Sequence, residues 1–164
     1  IMQLNDRNWE KIRKLFNDTR LSTGHFAIAT VTKDGTPHVS PIGSLFLRDD
    51  MSGYYFEELV GNMARNLKEN NRVCVMAVRS GRWFWLKSLI SGRFSSLPAL
   101  RLGGRAGEKR QATPEEIALL RKFIRAFKLF KGYDILWSNM THVRDIVFDS
   151  CENINAKEMT YKLD

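Results

Sequence analysis

The chain has 164 residues, 43% of them hydrophobic and 27% charged, a balance that suits one globular domain with one sizeable core. No apolar run reaches the ~18–20 residues of a membrane-spanning helix, and two cysteines are too few for a disulfide framework. The net charge of +8 is concentrated: residues 79–131 hold 13 Lys/Arg against 3 Asp/Glu.

Residues 5–18 predict a helix. Asn5 or Asp6 caps it, and Trp9, Ile12, Leu15 and Phe16 form an apolar stripe at helical spacing. This amphipathic start is unlike the apolar core of a signal peptide, so a reducing cytoplasm is the expected compartment. RLSTG (20–24) reads as a connection broken by Gly24. HFAIATVT (25–32) predicts a strand, and Asp34-Gly35 a hairpin turn. The returning strand, 38–50, carries Pro41, which removes a ladder donor. It is therefore an edge, a bulge, or open to something other than protein. Gly43 adds close approach by a backbone or a ligand.

A turn at 50–53 precedes a third strand, YYFEEL (54–59). GNMARNLKE predicts a helix of about two turns. RVCVMAV (72–78) is apolar at nearly every position and reads as a strand buried on both faces, with Cys74 a small buried hydrophobe. WFWLKSLISGRF (83–94) reads as a further strand with Trp83 and Trp85 on one side, in the core or a subunit interface. The basic, Gly-rich stretch 95–112 reads as a mobile loop or edge hairpin. Thr113, Pro114 and Glu116 open a helix over 113–131 with a T-x-x-E capping box. Its buried stripe is Ile117, Leu120, Phe123, Ile124, Phe127 and Phe130, and Gly132 stops it. Residues 133–150 predict one or two strands. The sum is a single α+β domain over 1–164, mainly an antiparallel barrel of about six strands with a few peripheral helices.

The basic segment offers a solvated face, a lining for an anionic small molecule, or a nucleic-acid or membrane-surface patch. The aromatics of helix 113–131 fall on its buried stripe and not among its charges, so nucleic acid is not an expected partner. No membrane partner is expected either. His25, His38 and His142 lack any zinc-ligand spacing, so no metal site is expected.

HFAIATVTKDGTPHVSPIGSLFLRDD, GYYFEELVGNMARNLKENNRVCVMAV and the terminal THVRDIVF resemble, in order, parts of the pyridoxamine 5′-phosphate oxidase-like family of FMN-binding split barrels. The resemblance is strongest over residues 20–80. It implies a six-stranded split barrel, a homodimer with FMN at the subunit interface, and a flavin-dependent oxidoreductase. Ser40, Pro41, Ile42 and Gly43 would run along the isoalloxazine ring. Tyr55 and the helix start Asn62, Met63, Ala64, Arg65 and Asn66 would enclose the ribityl-phosphate, where free N–H groups and the helix dipole suit an anion. Family members commonly place cations at the positions of Gly61 and Met63, which carry none. The alternative is a non-catalytic flavin or heme binder or sensor on the same barrel, with a deazaflavin as a further cofactor. Arg144 would reach a neighbour's flavin or form a salt bridge. No motif specifies catalytic residues or a substrate.

Overall fold

Asn5 caps the first helix reciprocally. Its side chain accepts from the Asn8 N–H at 3.0 Å, and the Asn8 side chain accepts from the Asn5 N–H at 2.9 Å. Helix α1 runs Asp6–Thr23 and ends at Gly24, whose φ of 73° is in the left-handed region open to glycine. The expected end at 18 is therefore too early. Tertiary contacts hold the last turn: the buried Thr19 hydroxyl donates to Val78 O, and the Arg20 guanidinium donates to Leu45 O at 2.6 Å.

The computed structural model describes residues 1–58, 61–125, 129, 136, 137 and 139–163. Leu59, the predicted helical positions 126–128, 130 and 131, the predicted stop Gly132, and 133–135 and 138 of the predicted closing strands lie outside them. Strands β1 (Phe26–Val31) and β2 (Pro37–Ile42) form the predicted hairpin, with Gly35 at φ 86° in its turn. The predicted strand 38–50 breaks after Ile42 and resumes as β3 (Phe46–Leu47), followed by β4 (Ser52–Phe56). Helix α2 (Gly61–Glu69) leads into β5 (Arg72–Val78). Then come α3 (Arg82–Ser91), β6 (Ala99–Gln111), α4 (Pro114–Ile124) and β7 (His142–Asn153).

All strand pairs are antiparallel, in the order β2-β1-β5-β6-β7-β4-β3. Pro41 thus sits on an edge strand, as its missing N–H requires. The two edges are joined only by Gly43–Leu45. Four Cα steps reach at most about 14 Å, whereas six strand spacings laid flat span about 29 Å. The sheet must curl until its edges nearly meet, which makes it a split barrel. Its seven strands exceed the expected six by the two-residue β3.

Three expectations are corrected. Residues 82–91 are helical, so Trp83 and Trp85 do not share a strand face; they are 83% and 36% exposed. The stretch 99–111 is a 13-residue strand between β5 and β7, not a loop or edge hairpin. Its glycines meet steric demands: a Cβ at Gly104 would lie 2.6 Å from Val147 O, beside the irregularity between Gly103 and Gly104. Finally, β5 alternates buried and half-buried residues, so only one face is buried and Cys74 is half-buried.

The barrel interior holds Trp9, Ile12, Leu15 and Phe16 of α1 against Phe26, Ile28, Val75, Leu100 and Ile146. A second cluster packs Phe46, Tyr54, Phe56 and Val143 beneath Leu120 and Ile124 of α4. Strand β4 is buried on both sides because Tyr55 faces the first cluster while Tyr54 and Phe56 face the second. The capping box of α4 forms as read: Thr113 Oγ1 accepts from Glu116 N at 3.2 Å, and Glu116 Oε2 accepts from Thr113 N at 2.9 Å. No helix among the described residues is long and apolar enough to cross a membrane.

Candidate cofactor cleft

Where β2 leaves the sheet, Ser44 fastens the chain to β4. Its hydroxyl accepts from Phe56 N at 3.2 Å and lies 3.3 Å from Phe56 O, to which it donates. This tie leaves a cleft of about 230 Å³ between the end of β2 and α4. Pro41, Ile42 and Gly43 form its rim, Phe56 lies on β4, and Leu120, Phe123 and Ile124 form the helical wall. Trp137 and Met140 line it too, and no charged residue is among the described lining residues. Such walls suit a flat aromatic group. Gly43 has a different reason from ligand room: a Cβ there would lie 2.9 Å from Gly24 O, so a backbone makes the close approach.

Arg20 stands behind this wall. Its guanidinium lies 4.4 Å from the Phe46 ring centroid and 5.6 Å from that of Phe123. No carboxylate pairs with it among the described residues, and its Nε is buried without a hydrogen-bond partner. Burial lowers its pKa to about 10. The cleft is therefore flanked by a partly desolvated cation, which favours an electron-rich ligand.

The residues predicted to hold a phosphate are placed differently. Met63 and Tyr55 belong to the core, at 1% and 0% exposure. Asn66 is buried and donates to Thr30 Oγ1 at 3.0 Å. Gly61 and Asn62 are exposed at the start of α2, with Ala64 half-buried behind them. Arg65 and Asn66 line a separate groove with Thr32, Lys33, Asp34 and Glu69, beside the β1–β2 turn. Ser40 is half-buried on β2, its Oγ 3.5 Å from His38 Nδ1.

Glu57 and Glu58, which precede α2, are turned to β7. Glu57 is buried and accepts from Arg144 Nε and Nη2 at 2.7 and 2.9 Å. Arg144 Nη1 donates to Gly107 O at 2.6 Å, and the Tyr55 hydroxyl donates to Glu57 at 3.4 Å. Burial depresses the Arg144 pKa, but its bonds to Glu57 outweigh this and hold it above its ordinary value. Burial beside Glu57 raises the Tyr55 phenol pKa. Glu58 accepts from Thr141 N and His142 N at 2.7 and 2.5 Å. Glu57 is thus neutralised by Arg144, whereas Glu58 Oε2 is buried without a hydrogen-bond partner, and among the described residues no side-chain cation stands in the first turn of α2. The apolar cleft and the polar groove beside α2, which Lys33 and Arg65 line, are thus separate among the described residues.

A four-residue ion network stabilises the other side of α4. Arg48 donates to Glu116 and Asp145 at 3.0 and 2.8 Å, and Arg110 donates to the same pair at 2.8 and 2.6 Å. Its members stand at 48, 110, 116 and 145, too far apart in sequence to be linked by spacing. Only Glu116 is legible from the sequence, through its capping box. Likewise Met140 carries no sequence signal as a cleft residue.

The fold and site define a split-barrel protein with an apolar, aromatic-walled cleft. The chain matches the family model for pyridoxamine 5′-phosphate oxidase over residues 9–144, and it belongs to that family. No curated protein matches. Among solved structures, the chain is similar to an FMN-binding protein from Syntrophomonas wolfei, with TM-score 0.62 and 15% identity, covering 93% of this chain and 90% of that one. It is similar to HupZ of Group A Streptococcus, with TM-score 0.59, 19% identity and coverage of 90% and 94%. The heme storage protein HutZ of Vibrio cholerae matches with TM-score 0.52, 15% identity and coverage of 90% and 94%. At these identities the likeness speaks for the fold.

Proposed function

We propose that the protein binds a flavin as a homodimer and works as a flavin-dependent oxidoreductase, with the isoalloxazine in the cleft beside Pro41–Gly43. The observation that carries this reading is the aromatic-walled cleft set against an edge strand whose Pro41 has no N–H. Its 230 Å³ is less than the roughly 300–1,000 Å³ of complete small-molecule sites, so a second copy would supply the remaining walls. The outer face of β2, β1 and β5 supports such a partner. Pro41–Ala27–Met76 and Val39–Ala29–Cys74 form two apolar rows across it, and Val39 is 63% exposed. A bound flavin would supply the redox chemistry itself. Phe56, Phe123 and Trp137 would hold the ring and exclude water, and the free N–H groups of α2 would face the phosphate. No residue is assigned as acid or base.

A second reading, a flavin or heme binder without turnover, is favoured by the missing cations at Gly61 and Met63. Absorption spectra with FMN, before and after dialysis, test the flavin site. Retained flavin bands support it, and they should be lost in Met140→Trp, which fills the cleft. Full release of added FMN by the wild-type protein refutes it. A Soret band on adding heme moves the assignment to the second reading, as does bound flavin that no reduced nicotinamide reduces.

A further inference from the structure

Helix α3 is inside out. Its inward side rests on Ser88, which is buried, and on Phe84, stacked on Phe94 at 5.9 Å between centroids. Trp85 meets Phe94 edge-on at 5.4 Å, and its indole N–H donates to Arg79 O at 2.9 Å. These contacts fix which way the helix faces. Its outward side carries Trp83, Ile90, Leu89 and Leu86, at 83%, 79%, 67% and 47% exposure. At about 100° per residue the four share an arc of about 120°. A helix on an aqueous surface shows the reverse arrangement.

Charge identifies the partner. Arg82 and Lys87 lie on the helix and Arg93 just beyond it, all exposed. None of the three forms an ion pair among the described residues. No acidic residue occurs between Glu69 and Glu108. Packing α3 against α3 of a second copy would set these cations against themselves. A nucleic acid would match the charge but leave Leu86, Leu89 and Ile90 without an apolar partner.

We propose that α3 is a membrane-surface contact. It lies along an anionic bilayer with Trp83, Leu86, Leu89 and Ile90 at the acyl boundary and Arg82, Lys87 and Arg93 on the headgroup phosphates. The expectation of no membrane partner rested on the lack of a spanning run, which a helix lying in the interface does not need.

The test is cosedimentation of the full chain with phosphatidylcholine vesicles and with mixed phosphatidylcholine–phosphatidylserine vesicles. Binding to the mixed vesicles, a blue shift of tryptophan emission and release by salt are expected. Trp83→Ser with Ile90→Ser should weaken binding at least ~10-fold, from the apolar burial lost. Lys87→Gln and Arg82→Gln should each weaken it about fivefold. All four positions are exposed, so thermal melting should be little changed. Equal binding to neutral vesicles, no binding to either, or unchanged binding by the Trp83/Ile90 variant overturns the proposal. So does a lowered oligomeric state of that variant in sedimentation, which would make α3 a contact between copies.

Discussion

Removing Arg144 should damage the fold more than any change on the exposed surface. The Arg144 and Glu57 side chains are only 7% and 1% exposed and are joined by two hydrogen bonds of 2.7 and 2.9 Å. Arg144→Met keeps the bulk of the stem but strands the Glu57 carboxylate, leaving it only the long bond from Tyr55. Breaking one side of a buried pair costs about 3–5 kcal/mol, a large part of a typical total of 5–15 kcal/mol. For a chain of this size, that lowers the melting temperature by on the order of 10 °C. The double variant Arg144→Met with Glu57→Leu removes both charges and should recover most of the loss. Urea unfolding of the wild type, both single variants and the double variant gives the coupling directly. A loss below about 1 kcal/mol for Arg144→Met, or a double variant as unstable as the sum of the singles, would refute the reasoning.

A cation at the start of α2 should separate the two halves of the cofactor site. Gly61 has open space around it, so Gly61→Arg should fold normally and favour FMN over riboflavin by about tenfold in titration, the worth of one charge-assisted bond. Met63→Lys places the same charge in the core, at a position 1% exposed, and should instead cost about 2–5 kcal/mol in urea unfolding. Gly104→Ala should destabilise by about 1–3 kcal/mol because its Cβ meets the Val147 carbonyl at 2.6 Å, whereas Gly61→Ala should be neutral or slightly stabilising. Acid should weaken the α4 clasp. Burial raises the Glu116 pKa, but bonds from Arg110, Thr113 and Arg48 outweigh it; Arg110 and Arg48 likewise lower that of Asp145. Both depressed carboxylates contribute stability that is present above their ordinary values and lost as pH falls through the folded ones. Unfolding midpoints across the acid range should show this loss, and Glu116→Gln should flatten it.

Particular residues explain where the sequence could be read and where it could not. Asn5, Thr113 with Glu116, and Asp34-Gly35 are local devices whose partners lie within a few residues, so their roles follow from spacing. Pro41 narrows its strand to an edge, a bulge or an open face because a missing donor has few tolerable places in a sheet, and the strand order settles on the edge. WFWL misleads because an apolar run does not separate strand from helix by periodicity. The glycines of 103–107 mislead in the opposite sense. They weaken a strand in general, yet here a neighbouring backbone leaves Gly104 no room for a side chain.

By itself, the sequence determined the helix caps, the hairpin, the order of parts and the family, because each depends on contacts short in sequence or on an ordered pattern. Tertiary structure alone decided that Met63 lies in the core, that Glu57 turns to Arg144, that Arg20 stands behind the cleft, and that α3 faces outward. Those outcomes depend on which distant segments the curled sheet brings together and on the burial free energy they share. No window along the chain contains that information.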